Sequence, residues 1–512
     1  MTRLDVDVAI VGSGFGGSLT ALLLARIGRS CVLVDRSCHP RFAIGESSTP
    51  NADLALLAIA RTYDLPRLAP LAKYGTWQAT YPQVVCGLKR GFSYFHHHPG
   101  RSFQPTSDHA NELLVTASPD DARSDTHWLR SDVDHFFATE AVRVGVPLFE
   151  NTTVALVPRG DGWQLTATNR PEPLEIDARF VIDGTGEFGL IPRTLGIGSR
   201  VDTLVTNSRT VFAHFCDLRP WDEIMRKAGA TNADHPFYCD HAAVHQVIDE
   251  GWMYQLRFNN GVTSAGFVLD AEQCPIDESI SIEAEWQQLL ARYPSLAEQF
   301  RPTTVVAPAG GLARTRRLQR RLARGAGENW ALLPHTFGFI DPLHSTGIAQ
   351  SLRGIERLVA ILRDHWQRPT LAAALARYAD TLDREIELID KLVSGCYLTR
   401  RNFRLFTAFA MLYFAATTVS EHCRAMSLGG NAAERPFDIH SAFLLADDAR
   451  FLRVVNETWQ RAHELASQPN VSPAEIASFE GLVAAGIEPY NTAGLCDPTL
   501  ANMYRYTAAQ KP

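Results

Sequence analysis

At 512 residues the chain is too long for one ordinary single-core domain, so two or three subregions sharing a core are expected. Its 46% hydrophobic and 21% charged residues are those of a soluble globular enzyme, and a net charge of −7 speaks against a nucleic-acid partner. Nine scattered cysteines without a CxxC pair suit a reducing cytoplasm, not a disulfide frame or a zinc site. With no run near the ~18 apolar residues of a membrane span and no signal peptide, a cytoplasmic protein without membrane association is expected.

The run Val6 to Val11 reads as a buried strand, apolar at nearly every position. It ends in Gly12-x-Gly14-x-x-Gly17, followed by an apolar helix from Leu19 to Ile27. Gly12 makes the tight turn, Gly14 lets backbone approach a pyrophosphate, and Gly17 lets helix and strand lie close. The pyrophosphate sits on free N–H groups at the helix start. A second strand, Cys31 to Val34, ends in Asp35, where a carboxylate receives ribose hydroxyls. An Asp there favours FAD or NAD over NADP.

Beyond Asp35 the chain reads RSCHPRFAIGESSTP, with Glu46 and Ser47 inside the GES triplet and Thr49-Pro50 starting a helix from Asn51 to Tyr63. A strand ending in Asp, then HPR, then GES, resembles the flavin-dependent halogenases, within the wider class of single-component FAD monooxygenase folds. That resemblance implies that the GES loop touches the flavin and couples its site to a substrate chamber. Next come Lys89 and an aromatic strand with Phe92 and Tyr94 at alternate positions. In the halogenases a lysine placed like Lys89 carries the chemistry, by hydrogen-bonding hypohalous acid or forming a chloramine. A lysine among apolar strand residues is partly desolvated, which lowers the pKa of its amine. His96, His97 and His98 point to alternate faces of a strand and cannot converge on one ion without a bend, so no metal is expected. Residues 99–125 are polar and rich in Pro, Ser and Asp, and read as an insertion or lid loop.

Arg130 precedes a helix predicted from Asp132 to Val144, capped by Ser131 or Asp132, and matches an arginine that contacts FAD in the flavoprotein class. Strands follow at Val146–Glu150, Thr153–Arg159, Gly162–Asn169 and Ala178–Ile182, the last ending in Asp183-Gly184-Thr185-Gly186, a second turn near the cofactor by its placement. Four strands between Thr210 and Leu269 read as a substrate sheet. The halogenases carry WxWxIP on such a strand. Here Trp252 is kept, Tyr254 replaces the second tryptophan, and Leu256-Arg257 replace Ile-Pro. The tryptophan pair is thought to keep organic substrate from the oxidised flavin intermediate, so this departure leaves a monooxygenase or oxidase without halide use as the alternative. The flanking residues read like the phenol-halogenating branch.

The basic run from Arg314 to Arg324 reads as an exposed rim. A strand from Trp330 runs into a loop holding Asp341 and Pro342, which by resemblance holds the flavin. His344-Ser345-Thr346-Gly347 then matches the halide-binding loop, with N–H groups of Thr346 and Gly347 on the anion. His344 stands where indole-halogenating members carry glutamate, and as a base toward a phenol it would titrate near neutrality. Helices follow at Ala349–Asp364, Thr370–Tyr397 and Asn402–Ser420, with others past Ser441. Met411, Tyr413 and Phe414 are candidates for a chamber wall.

Together these imply an α/β, PHBH-like FAD-binding fold with an antiparallel substrate sheet and a helical C-terminal cap. The FAD part takes residues 1–200 and 311–360, the substrate sheet 201–310 and the cap 361–512. The implied reaction uses FADH2 and O2 to make a flavin hydroperoxide. Chloride or bromide attacks it, and the hypohalous acid reaches Lys89 and halogenates an electron-rich phenolic ring in secondary metabolism. With no second nucleotide motif for NADH, a separate NAD(P)H-dependent flavin reductase is the expected partner. The small aromatic substrate is either free or carrier-bound, and a homodimer is an option the sequence leaves open.

Overall fold

The strand Thr2–Val11 runs through the middle of the first of two large sheets, in a computed structural model that describes residues 2–169, 172–429 and 437–505. It pairs in parallel with Cys31–Val34 on one side and Leu174–Asp183 on the other. Trp330–Leu332 adds in parallel to Leu174–Asp183, and an antiparallel hairpin, Val154–Arg159 with Gly162–Ala167, extends the other end. Val8, Ala9 and Ile10 are wholly buried, because both faces of the strand are covered. The helix after the glycine loop begins at Phe15, four residues ahead of the predicted Leu19.

The second sheet runs in the order Thr304–Ala307, Ser208–Cys216, Thr263–Asp270, Gly251–Arg257, Ala243–Ile248, Gly91–His96, Glu112–Thr116 and Met503–Tyr504. It is largely antiparallel, with parallel pairings between Ala243–Ile248 and Gly91–His96 and between Glu112–Thr116 and Met503–Tyr504. The sheet therefore takes strands from outside residues 201–310. One of them, Glu112–Thr116, is wholly buried and lies inside the stretch read as a polar lid. Its apolar run is so short that the Pro, Ser and Asp on either side masked it. Alternation along Gly251–Arg257 puts Trp252, Tyr254 and Leu256 into the main core, while Met253 joins a second core beyond the sheet with Phe267 and Trp286.

Four helices, Leu371–Thr399, Phe403–Leu428, Ala449–Ala466 and Pro473–Ile487, form most of the C-terminal part. The helical reading of that part also spans 430–436 and 506–512, which lie outside the described residues. Phe403–Leu428 corrects the expectation that no run nears membrane-span length. It is long and apolar enough by composition, with a mean hydropathy of 1.3 over its best window, and 89% of that window is buried inside the protein. A helix apolar all round is a core helix when other elements enclose it.

The run from Arg314 to Arg324 also departs from expectation, since much of it is tied inward. Arg314 pairs with Glu278 and Glu285, Arg321 with Asp383, and Arg317 donates to the carbonyl of Thr206. Only its residues Arg316, Ala323 and Arg324 are exposed. A basic run on an acidic chain finds carboxylates on neighbouring elements, which sequence spacing cannot show.

Candidate functional site

The nucleotide end is built on backbone proximity. A Cβ at Gly17 would stand 1.8 Å from the carbonyl oxygen of Gly12, so helix and strand meet where any side chain would collide. Gly12 has φ +99°, and a Cβ there would lie 2.5 Å from the oxygen of Gly184. Beside Gly14 stand Arg41, Asp134 and Arg130, all within 4 Å of where a Cβ would be. Asp35 is buried and accepts from Ser13 N–H at 2.7 Å and from Ser13 Oγ at 2.9 Å.

Arg130 is the first residue of the helix Arg130–Arg143 and not its predecessor, and Leu129 at the cap position offers no side-chain bond. Its guanidinium forks onto Asp134 at 2.8 and 3.0 Å and donates to the carbonyls of Ile44 and Gly45. It thereby ties the glycine loop to the GES loop. Asp183 is spent inside its own turn, accepting from Thr185 N–H and Oγ and from Ile191 N–H. It positions the turn that presses on Gly12. The side-chain-free backbone of Gly14 beside the guanidinium groups of Arg41 and Arg130, and a carboxylate at the end of the second strand, fit a dinucleotide's pyrophosphate and ribose, so the residues present suit FAD.

The GES loop straps the two sheets together. Glu46, buried, meets His214 Nε2 at 2.9 Å on the second sheet, and its carbonyl accepts from Trp128 N–H. The amide of Ser48 donates to Thr126, and its carbonyl accepts from Lys89 Nζ at 2.5 Å. Lys89 ends the strand Cys86–Lys89 and has no solvent exposure. Its ammonium lies 4.1 Å from the centre of the Phe92 ring. Burial lowers its pKa to about 8, against the pull of Asp125, Asp53 and Glu421. Around it, Asp53 accepts from Ser48 Oγ and from Lys73 Nζ at 3.0 Å. Glu421, held by Asn51 and Thr417, is pushed up to about 8 by burial and so carries a proton at neutral pH.

An aromatic array runs from this amine to His344 on one side and to Trp252 on the other. Phe92 meets Tyr413 edge-on at 6.1 Å, and Tyr413 stacks on His344 at 4.3 Å. On the other side Tyr94 stacks on His245 at 4.3 Å, and His245 meets Trp252 at 5.0 Å. Trp252 Nε1 donates to Tyr397 OH, which donates to Asp341, and Ser208 Oγ donates to the same carboxylate oxygen at 2.7 Å. Burial raises Asp341 to about 6. Tyr254 shares the Trp252 face, whereas Arg257 faces the other core, where it pairs with Asp240 at 2.9 Å. The change from proline to Arg257 thus falls away from the chamber.

The loop 341–345 ends at the helix Thr346–His365, so Thr346 and Gly347 occupy its first turn with free N–H groups, three residues before the predicted start. Ser345 caps it in the left-handed region, φ +52°, and Oγ of Ser345 donates to Oγ of Ser47 at 3.0 Å. Nothing lies within 4 Å of a Cβ at Gly347, so there is room for an ion. His344 does not titrate near neutrality. Burial drives it to about 3, so the ring is neutral, with Nδ1 lacking a hydrogen-bond partner.

Lys89, Phe92, Trp252, His344 and the 346–347 turn thus share one connected set of contacts, with Asp35, Gly14 and Arg130 at the nucleotide end. The three adjacent histidines diverge, His96 stacking on Phe403 and His97 bonding Gln246. Sequence reading missed His245, Tyr397 and the carboxylates Asp53, Asp125 and Glu421. Only His245 carried a signal, as a polar residue at an alternating site in an apolar strand.

Residues 5–42 match the FAD binding domain family, which with this cradle defines a flavoprotein oxidoreductase with FAD as its cofactor. The Tryptophan halogenase family model matches residues 125–409, more than half the chain, and the protein belongs to that family of flavin-dependent halogenases. It is 28% identical over 422 residues to monodechloroaminopyrrolnitrin halogenase PrnC of Pseudomonas fluorescens, covering 81% of this chain and 72% of that one. To tetracycline 7-halogenase of Kitasatospora aureofaciens it is 27% identical over 424 residues, covering 81% and 73%. The solved structure of halogenase PltM with phloroglucinol and FAD shares the fold at TM-score 0.84 and 22% identity, covering 98% of this chain and 99% of that one.

Proposed function

We propose that this halogenase acts on an electron-rich phenolic ring, with Lys89 holding the hypohalous acid and the N–H groups of Thr346 and Gly347 holding the halide. One observation carries the reading. The buried amine of Lys89 and the open helix start at Gly347 are joined through a single strap, Ser48 to Lys89 and Ser47 to Ser345. Reduced FAD with O2 supplies the oxidant that converts halide to hypohalous acid, the reduced flavin coming from a separate reductase.

The helix start stabilises an anion, a favourable term of about 1 kcal/mol that grows when the site is partly buried. At pH 7 the Lys89 amine, with its pKa near 8, is mostly protonated. As an ammonium it donates to the oxygen of hypohalous acid, so that oxygen leaves as water when the ring takes the halogen. Trp252 and Tyr254 wall the chamber, and Trp252 is fixed by Tyr397 and Asp341. A phenol's hydroxyl already activates its ring, so neutral His344 need only orient that hydroxyl by a hydrogen bond. The phloroglucinol in the PltM complex and the tetracycline halogenase relative support a phenolic substrate. A panel of free phenols, pyrroles and indoles, run aerobically with reductase, NADH and bromide, tests the substrate class. Phenols should turn over at least tenfold faster, and preference for an indole or a pyrrole would overturn it.

A further inference from the structure

His109, Glu112 and His235 come together where the strand Glu112–Thr116 of the second sheet begins. His109 and Glu112 flank the start of the strand Glu112–Thr116, and His235 lies in the connection between Trp221–Lys227 and Ala243–Ile248. One donor atom from each falls within 4.8 Å of the other two. A single carboxylate oxygen, Glu112 Oε2, stands 3.0 Å from His235 Nε2 and 3.5 Å from His109 Nδ1. Donor atoms bound at about 2.0–2.2 Å in a tetrahedral zinc site lie roughly 3.4 Å apart, between those two distances.

The tautomer of His109 sharpens the case. Its Nε2 is 2.7 Å from Asp234 Oδ2, and a carboxylate there fixes the proton on Nε2. The lone pair then sits on Nδ1, which is buried and has no hydrogen-bond partner. It points at an oxygen of Glu112, which is itself only 1% exposed. Two buried electron-pair donors face each other, and among the described residues Glu112 has no Lys or Arg ion-pair partner, only these two imidazoles. A carboxylate behind a histidine whose other nitrogen meets a ligand set is the arrangement that orients metal-binding imidazoles.

We infer that His109, Glu112 and His235 bind a divalent transition-metal ion of the zinc class, with Asp234 orienting His109. Two imidazoles and one carboxylate suit Zn2+ better than Ca2+ or Mg2+, which take oxygen ligands. The ion is structural. It ties the 99–111 loop to the 228–242 connection and, through Asn502 donating to the His109 carbonyl, to the strand Met503–Tyr504.

The test uses tag-free, FAD-loaded protein, stripped with a chelator and titrated with Zn2+ alone. One equivalent should bind, with zinc K-edge absorption showing only nitrogen and oxygen neighbours at about 2.0–2.1 Å. Glu112→Gln and His235→Gln should lose that equivalent. Asp234→Asn, at an exposed carboxylate, should keep fold and FAD content and weaken zinc roughly 10–100-fold. Sulfur neighbours at about 2.3 Å would assign the ion to cysteines and overturn the proposal. Equal binding in all variants, or no zinc binding in the parent protein, would overturn it too.

Discussion

Ser345 donates a hydrogen bond from its hydroxyl to Oγ of Ser47 across 3.0 Å, joining the start of a 20-residue helix to the GES strap. The next residue along the strap, Ser48, accepts from Lys89. Ser47 and Ser48, adjacent in one loop, thereby fix the proposed halide turn and the proposed halogen-transferring amine relative to one another. Replacing Ser345 by Ala removes one neutral hydrogen bond, worth about 1 kcal/mol, and should raise the KM for bromide roughly fivefold. FAD affinity, measured by flavin fluorescence, should stay within twofold.

Lys89→Met replaces a buried ammonium by an apolar chain of similar length. Halogenated product should fall about 10^3-fold while FAD content and NADH-driven flavin reoxidation persist. The Ser48 carbonyl and Asp125 lose a buried partner, so the melting temperature should fall by a few degrees while the protein stays folded. A variant that loses FAD instead would make Lys89 a structural residue.

The pH profile follows from the direction of the Lys89 shift. Its ammonium is the donor, so product formation should fall as pH rises through about 8. The folded value lies below the unfolded one near 10.4, so between about 8 and 10 the unfolded chain binds more protons and this group's contribution to stability rises with pH. Glu421 works the other way. Its folded value is raised to about 8, so its contribution falls as pH climbs from about 4 to 8. Asp125 draws the Lys89 value upward, so Asp125→Asn should move the activity limb to lower pH. A pH–rate series on both proteins reads the shift directly.

Two glycines that look alike in sequence should behave oppositely. Gly17→Ala puts a Cβ 1.8 Å from a backbone oxygen and should lower stability by about 3 kcal/mol or more, with loss of FAD. Gly347→Ala meets nothing within 4 Å, so the melting temperature should hold. Its methyl group enters the space beside the anion, and the KM for halide should rise about tenfold. Thermal melts and halide titrations of the two variants separate these effects.

The Gly12 loop and Asp35 were legible because local pattern determines them, glycine spacing after an apolar strand and an acid at the end of the next, whereas Lys89, last in its strand and followed by Arg90, was singled out by the resemblance to the halogenases. The strand Glu112–Thr116 was not, because five apolar-biased residues inside a polar stretch give no period to read. The inward pairing of Arg314 and Arg321, the neutrality of His344 and the carboxylates around Lys89 depend on tertiary neighbours 29 or more residues away, so no spacing rule reaches them. The helix Phe403–Leu428 was too apolar to reveal which of its faces mattered, since 89% of its most apolar window is buried.

Central to the account is halogen transfer through the Lys89 amine, and the sharpest measurement compares the wild-type enzyme with Lys89→Met. Each is incubated in air with a flavin reductase, NADH, bromide and phloroglucinol, and the products are read by mass spectrometry. The account predicts the paired isotope peaks of a brominated ring from wild type and none from Lys89→Met, with equal NADH consumption. Brominated ring from both proteins, or a hydroxylated ring without bromine from wild type, would contradict it.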